Sequence, residues 1–304
     1  MDYVMKTNSL CKSYKDFKAL NGLSMNVPKG SIYGFVGRNG AGKTTLIRMV
    51  CGIQFPTSGS FELYGVKNSD PKISDTRRRM GAVVETPSII PYLSARKNLE
   101  IQYDIMGMPD YKGIDGLLEL VGLTDTGKKQ AKYFSLGMRQ RLGIAVALCG
   151  NPDFLVLDEP INGLDPQGII EMRELILKLN RENKITILIS SHILDELSKI
   201  ATHYGFINDG QIVREMSAEE LDSECRKCIR IRVTDTAALA RVLDGMGDEY
   251  KIIDKEYADI YASPNITDLA FSLWDEKCKI VSVYEHDESL EGFFISLVGG
   301  GSNE

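Results

Sequence analysis

IYGFVGRNGAGKTT, residues 32–45, joins an apolar run, a glycine-rich loop and the start of a helical segment. Its first five residues form the continuous apolar pattern of a strand buried on both faces of a parallel sheet. The next eight match G-x-x-x-x-G-K-[S/T], a pattern that binds phosphate when a strand precedes it and a helix follows it. A glycine-rich turn alone would arise by chance, but both flanking elements are present here. The stretch therefore predicts an α/β fold with a phosphate-binding loop.

The residue types in this loop suit the phosphates of a nucleotide. Glycines let backbone N–H groups turn towards phosphate oxygens, and the N-terminus of the following helix adds partial positive charge. Lys43 is then expected to bridge the β- and γ-phosphates, and the hydroxyl of Thr44 to bind Mg²⁺. We predict a nucleotide and Mg²⁺ as ligands, held at this loop by Gly37, Asn39, Gly40, Ala41, Gly42, Lys43, Thr44 and Thr45. The loop by itself would fit many nucleotide hydrolases.

A second apolar run, residues 154–157, ends in a pair of acidic residues, Asp158 and Glu159. Ligands of parallel sheets bind at the carboxyl ends of the strands, which is where this pair lies. Asp158 is expected to hold Mg²⁺, and Glu159 to accept or orient the proton of an attacking water molecule. Acidic pairs also occur at solvated strand ends, but the preceding buried run and the following Pro160 favour a catalytic pair.

The chain contains enough residues for one large domain and one smaller one. Residues 1–215 alternate strand and helix patterns, with a helical insertion at about 86–150. After residue 216 the pattern restarts as strand, helix, strand, strand, helix, strand, which suggests a small α+β, ferredoxin-like domain over 216–304. Its first three elements are predicted as a strand at 228–233, a helix at 236–246 and a strand at 251–254. A final helix is expected over 288–298, followed by a frayed tail from residue 299.

Composition limits the classes of function. The 304 residues carry a net charge of −6, and 43% are hydrophobic. The charge argues against nucleic acid as a partner, and Arg77-Arg78-Arg79 is better explained as a solvated surface because no aromatic residues are interleaved with it. No run approaches the roughly 18 apolar residues of a spanning helix. The beginning of the chain lacks a secretory pattern, so we expect a cytoplasmic protein with reduced cysteines, Cys225-x-x-Cys228 included.

The sequence resembles the ATP-hydrolysing subunits of ABC transporters. Residues 134–141, FSLGMRQR, resemble the signature of that family, usually L-S-G-G-Q, and residues 162–166, NGLDP, resemble its D-loop. The resemblance implies that His192 is the switch histidine, although a helix-capping or core histidine is the ordinary alternative. It also implies that Tyr14 stacks on adenine, whereas an isolated tyrosine is more often a packing residue.

The resemblance also implies how the protein assembles. In this family the signature serine and glycine, Ser135 and Gly137 here, bind the γ-phosphate held by the opposite subunit. We therefore expect a head-to-tail dimer, either a homodimer or a pair with a related ATPase subunit, with two ATP molecules between the subunits. Catalytic roles then fall to Lys43, Glu159 and His192.

Two departures from the family pattern stand out. Leu136 and Met138 occupy positions where the family favours glycine and glutamine, which makes the signature loop bulkier. Glu85 occupies the position of the glutamine that contacts the metal and the phosphates in most members. A carboxylate there should raise the pKa of at least one neighbouring carboxyl group unless the metal compensates. We predict that Glu85 binds the nucleotide or metal and tunes hydrolysis or its coupling to the permease; a solvent-facing loop residue is the alternative.

Glu85 and the residues of the signature are similar to those of the subgroup that exports bacitracin-like or lantibiotic peptides and confers self-protection. This resemblance implies a separate integral-membrane permease and a location on the inner face of the cell membrane. A regulatory or sensory ATPase whose turnover signals without transport remains the main alternative. An ATPase that remodels ribosomes or DNA fits less well, because such chains usually carry two nucleotide domains or a long coiled-coil insertion.

Overall fold

The computed structural model describes residues 2–225, 228–261, 265–286 and 290–299. The chain divides into two units, Met1–Ala218 and Glu219–Glu304. The first contains, in order, β1 (Tyr3–Tyr14), β2 (Phe17–Leu23), β3 (Asn26–Pro28), β4 (Ile32–Val36), α1 (Lys43–Val50), β5 (Ser58–Leu63), β6 (Val66–Lys67), α2 (Ile73–Arg77), β7 (Met80–Val83), α3 (Ala95–Met106), α4 (Ile114–Leu120), α5 (Leu136–Leu148), β8 (Phe154–Asp158), α6 (Pro166–Arg181), β9 (Thr186–Ser191), α7 (Leu194–Ser198), β10 (His203–Asn208) and β11 (Gln211–Ser217).

Six strands form a sheet in the order β11-β10-β4-β9-β8-β7. The five strands from β10 to β7 run parallel, and β11 pairs antiparallel to β10 at the edge. Every residue of β4, β8 and β9 is buried, as their continuous apolar sequences require for strands covered on both faces. This sheet confirms the α/β fold class predicted from the sequence.

A second sheet of the first unit has the order β2-β1-β5-β6, with β3 also paired to β1. Helix α1 contributes four apolar residues, Leu46, Ile47, Met49 and Val50, to the hydrophobic core formed with both sheets. Since α1 directly follows the glycine-rich loop, the core fixes that loop against the two sheets.

Helices α3, α4 and α5 lie in the connection between β7 and β8, which are paired neighbours. Short 3₁₀ helices occur at Thr124–Thr126 and Ala131–Tyr133 in the same connection. The segment corresponds to the helical insertion expected at about 86–150. Helix α5 leads the chain back to the sheet at β8. Its Gly143 lies against Pro87, in the loop after β7.

The second unit has its own sheet and core. Its elements are α8 (Ala218–Glu224), β12 (Cys228–Val233), α9 (Thr236–Met246), β13 (Tyr250–Ile252), β14 (Tyr257–Ile260), α10 (Ile266–Asp275), β15 (Ile280–His286) and α11 (Leu290–Gly299). The sheet order is β13-β14-β12-β15 with every pairing antiparallel. From β12 to β15 the elements follow the β-α-β-β-α-β order of a split βαβ arrangement. Parts of the predicted final helix (288–289) and tail (300–304) lie outside the described residues.

The three consecutive arginines at the end of α2 do not form one surface. Arg77 donates from Nε to the carbonyl of Val50 at 2.8 Å, and so caps the C-terminus of α1. Arg79 pairs with Asp153, whereas Arg78 is exposed and lies 3.9 Å from Asp75. The prediction of a solvated arginine surface is therefore correct for Arg78 but wrong for Arg77.

Cys11, Cys51, Cys149 and Cys278 form no disulfide in the described part of the chain. No helix among the described residues is long and apolar enough to cross a membrane.

Candidate functional site

Four neighbouring parallel strands, β4, β9, β8 and β7, deliver the predicted site residues at one edge of the large sheet. Parallel strands end on the same side, so segments distant in the sequence meet there. The glycine-rich loop follows β4, and the acidic pair spans the end of β8. His192 follows β9, and Glu85 lies two residues after the end of β7.

Close packing explains two of the loop glycines. Gly42 has a φ of +109°, and a Cβ there would lie 2.5 Å from the carbonyl oxygen of Ala19. A Cβ on Gly37 would lie 2.5 Å from Cγ2 of Ile207. The loop is thus held between β2 and the end of β10. Neither Gly37 nor Gly42 has room for a side chain.

Lys43 is buried, with 5% of its surface exposed. Its Nζ donates to the carbonyl oxygen of Gly37 at 2.6 Å and of Arg38 at 3.3 Å. The same ammonium lies 3.3 Å from Oε1 of Glu159. A buried cation is therefore held between the loop and the second acidic residue, where it can meet a phosphate bound in the loop.

Asp158 is 2% exposed and accepts two hydroxyl hydrogen bonds. Thr44 donates to Oδ2 at 2.8 Å, and Ser190 donates to Oδ1 at 2.5 Å. A hydroxyl and a carboxylate side by side are the hard oxygen donors that Mg²⁺ takes when phosphates and water complete its coordination. The described residues contain no group of three acidic, histidine or cysteine side chains placed for a metal. The donor set fits a metal shared with phosphate better than an all-protein metal cage.

Glu159 has a φ of +50°, a conformation in which residues with side chains are strained. Its backbone N–H donates to the Ser190 hydroxyl at 3.0 Å, which helps to hold this backbone. One carboxylate oxygen faces Lys43, and the other lies 2.8 Å from Nδ1 of His192. Glu159 is thereby oriented from both sides, by a cation and by an imidazole.

Glu85 also has a left-handed backbone, with a φ of +59°. Its Oε1 contacts Nη2 of Arg48, a residue of α1, in an ion pair. The side chain is half exposed, as in the alternative of a solvent-facing loop carboxylate, and its charge is paired with that of Arg48. The positive charge that compensates the Glu85 carboxylate comes from Arg48. The sequence analysis had considered only the metal in this role.

Tyr14 ends β1 with its ring 41% exposed. The hydroxyl donates to Oε1 of Gln54 at 2.5 Å, and Nζ of Lys12 lies 5.2 Å from the ring centroid. The ring is fixed at its polar end and accessible elsewhere. That arrangement leaves a surface for stacking, but Tyr14 shares no hydrogen bond with the catalytic cluster.

Ser135 and Gly137 lie at the N-terminus of α5. The Ser135 hydroxyl accepts from the N–H of Met138 at 3.2 Å as the helix N-cap. A Cβ on Gly137 would meet Leu164 at 3.7 Å, so the signature packs beside the D-loop. Neither residue hydrogen-bonds to Lys43, Asp158 or Glu159.

An open cleft of about 550 Å³ connects these regions. It is lined by Thr44, Glu85, Thr86, Pro87, Ile89, Leu136, Arg139, Gln140, Asp158, Glu159 and Asn162. The predicted metal ligands Thr44, Asp158 and Glu85 therefore open onto one space together with Glu159, whereas Lys43 and His192 are not part of its lining.

Comparison with known proteins identifies the family. Residues 20–162 match the family model described as ABC transporter. Over 305 residues the chain is 40% identical to the bacitracin transport ATP-binding protein BcrA of Bacillus licheniformis, and the match covers 99% of both chains. The chain belongs to the ABC transporter ATPases. It is an ATP-binding subunit and an ATPase of this family, as the motifs predicted.

Other relatives of this ABC ATPase support the assignment. The lantibiotic transport ATP-binding protein SrtF of Streptococcus pyogenes is 42% identical over 212 residues, which cover 70% of this chain and 90% of SrtF. Among solved structures, cbiO1 of Clostridium perfringens, part of the ABC transporter complex cbiONQ, aligns with a TM-score of 0.66 and 26% identity. That match covers 81% of this chain and 97% of cbiO1.

Two residues of the ABC ATPase site were missed by sequence reasoning. Ser190 joins Asp158 to the backbone of Glu159, and Arg48 pairs with Glu85. A signal existed for Ser190, since a polar residue directly follows the buried apolar run 185–189. The sequence contained no such signal for Arg48, because an arginine one turn into an amphipathic helix is usually an ordinary surface residue.

Proposed function

We propose that this chain hydrolyses ATP to drive a separate membrane permease that exports antimicrobial peptides or protects against them. The observation that carries the hydrolytic part is the network around Glu159, whose two carboxylate oxygens face Lys43 and His192. It orients a carboxylate beside a phosphate-binding loop, as water activation requires.

In the proposed reaction, Glu159 accepts the proton of the attacking water, and His192 holds the carboxylate in position and donates towards the transferred phosphoryl group. Lys43 stabilises the charge that develops on the β- and γ-phosphates. Mg²⁺, when bound by Thr44 and Asp158, supplies further neutralisation of that charge. Gly37 to Thr45 cradle the phosphates, and Tyr14 offers its ring to the adenine.

We propose further that a complete site needs two subunits. The signature residues Ser135 and Gly137 lie beside their own D-loop and make no hydrogen bond to the catalytic cluster. A helix N-terminus carrying a serine hydroxyl is well suited to a phosphate, and a head-to-tail partner would bring it to the second face of the nucleotide. The partner is a second copy or a related ATPase subunit.

The peptide substrate is inferred from relatives. BcrA of Bacillus licheniformis is named for bacitracin transport and matches this chain along almost its whole length, the C-terminal unit included. SrtF is named for lantibiotic transport and matches 70% of this chain. Both names support a role in export of, or resistance to, cell-envelope-active peptides, with the ATPase bound to its permease at the cytoplasmic face of the membrane.

The test is a resistance assay. A peptide-sensitive host would express the chain with its permease, and growth inhibition by bacitracin and by a lantibiotic would be compared for the wild type and Glu159→Gln. We expect the wild type to raise the inhibitory concentration of one peptide, and the variant to lose that protection while still co-purifying with the permease. Unchanged sensitivity with the wild type, together with peptide-stimulated ATPase activity, would favour the sensory alternative.

A further inference from the structure

The carboxylates on the wall of the cleft differ in their partners. Glu159 faces the ammonium of Lys43, and Glu85 faces the guanidinium of Arg48. Asp158 receives hydrogen bonds from two neutral hydroxyls instead. A divalent cation is attracted most strongly to the carboxylate whose charge is least compensated, and that carboxylate is Asp158.

The position of Arg48 makes its pairing informative. It lies one turn beyond Lys43 and Thr44 on α1, the helix that begins at the phosphate loop. Glu85 lies in the loop after β7, with a strained left-handed backbone. The ion pair therefore ties this loop to the phosphate-loop helix, and it directs the Glu85 carboxylate towards α1 although Glu85 and Asp158 line the same cleft.

We propose that Arg48 is a positioning residue that holds the Glu85 carboxylate out of the metal site, so that Asp158 is the cleft carboxylate that binds Mg²⁺. The proposal rests on the ATP-binding part of the proposed function, and it replaces the sequence-based expectation that Glu85 is itself a metal ligand. Arg48 is thus the group that allows a carboxylate to stand where most family members have an uncharged glutamine.

The consequence of removing the cation follows from electrostatics. With Arg48→Gln, Glu85 becomes an uncompensated negative charge in the cleft that receives both the triphosphate and Mg²⁺. Without Mg²⁺ this charge repels ATP, and with Mg²⁺ it provides a second carboxylate that attracts the metal. ATP binding should therefore become more dependent on Mg²⁺. Removing Glu85 as well takes away the charge and should restore the original dependence.

The experiment measures binding of a fluorescent ATP analogue to the full chain in EDTA and across a Mg²⁺ titration. For Arg48→Gln we expect roughly 3- to 10-fold weaker binding in EDTA and a half-saturating Mg²⁺ concentration lowered by a similar factor. Arg48→Gln/Glu85→Gln should return both values to within about 2-fold of the wild type, as expected for two residues that act as a pair. Arg48→Lys, which keeps the cation, should behave more like the wild type.

Arg78→Gln is the matched control, because it removes an exposed arginine that is not in the cleft. It should leave both values unchanged. Wild-type behaviour of Arg48→Gln would overturn the proposal. So would failure of the double variant to restore Mg²⁺ dependence, since a purely structural arginine would not be rescued by removing Glu85. This experiment measures nucleotide binding alone. A failure of the transport proposal would instead appear in the peptide-resistance assay.

Discussion

At the scale of single residues, the catalytic geometry depends on a buried serine that carries no charge. Ser190 is fully buried, and its hydroxyl donates to Asp158 while accepting from the backbone N–H of Glu159. It therefore fixes the proposed metal-binding carboxylate and the proposed catalytic carboxylate relative to each other. Hydrogen bonds to charged groups in a buried site are costly to lose, because the remaining partner stays desolvated.

We predict that Ser190→Ala lowers kcat about 10-fold or more and the free energy of unfolding by about 1–3 kcal/mol. The variant removes the hydroxyl that donates to Oδ1 of Asp158, and it leaves the N–H of Glu159 with only its 3.2 Å hydrogen bond to the backbone carbonyl of residue 190. Steady-state phosphate release and urea denaturation measure the two effects.

The matched control is Ser31→Ala, since Ser31 is also buried and donates to the carbonyl of Pro28 at 2.6 Å, away from the site. It should lose stability with kcat little changed. If both variants lowered kcat equally, Ser190 would have no specific role in positioning the acidic pair.

At the scale of elements, helix α5 supports the loop that carries Glu85. Its Gly143 has so little space that a Cβ would lie 2.5 Å from Cβ of Pro87, two residues after Glu85. Further along the same helix, Arg141 donates to the carbonyls of Val121 and Gly122 at the end of α4, at 3.0 and 3.2 Å. The signature helix is thus packed against both the metal-side loop and the helical insertion.

We predict that Gly143→Ala lowers the free energy of unfolding by about 1–3 kcal/mol because the methyl group overpacks this contact. The displaced loop should also weaken ATP binding. Thermal unfolding and binding of a fluorescent ATP analogue test both effects.

Gly116 in α4 is the control, because a Cβ there meets nothing within 4 Å. Gly116→Ala should raise stability by about 0.5–1 kcal/mol, the usual gain from replacing an exposed helical glycine. A stabilised Gly143→Ala variant would show that the close approach of Pro87 is not needed.

At the scale of the whole molecule, the two units have separate hydrophobic cores, and every predicted site residue belongs to the first. The second unit forms its core from the antiparallel sheet and helices α9 and α10, with Ile231, Leu239 and Leu273 fully buried. Nucleotide binding is therefore expected to need only the first unit from each chain, while closure over ATP needs two chains.

We predict that a chain ending at Ala218 folds and binds an ATP analogue within about 3-fold of the full chain, a change of less than about 1 kcal/mol. Far-UV circular dichroism and analogue titration measure this. An insoluble or non-binding product would show that the second unit is required for the ATP site to form.

We also predict that Glu159→Gln, which keeps the side-chain shape but removes the base, lowers ATP turnover by about 100-fold or more. Because bound ATP then persists, the variant should form an ATP-dependent dimer that light scattering detects. A second substitution, Ser135→Ala, should weaken this dimer. A monomer under saturating ATP would contradict the two-subunit site.

Local patterns were sufficient for several elements of the fold. The predicted bounds of β4, β12 and α9 coincide with those observed. Strand β4 is a continuous apolar run, β12 alternates apolar residues with arginines, and α9 is capped by Asp235 and Gly247. The strand predicted at 251–254 is found at Tyr250–Ile252, since Asp254 accepts from the N–H groups of Glu256 and Tyr257 and forms a turn. Those two hydrogen bonds also lower the pKa of Asp254. Such side-chain turns compete with the strand and shift its end.

The sequence by itself predicted the phosphate loop and the acidic pair, because each lies within one short segment whose residue types match its chemistry, and the family resemblance added the histidine. Only the tertiary structure decided which groups hold those residues in place. Ser190 is 32 residues from Asp158, and Arg48 is 37 residues from Glu85. These partners meet because neighbouring parallel strands end at one sheet edge beside α1, and no pattern within a single segment records which strands become neighbours.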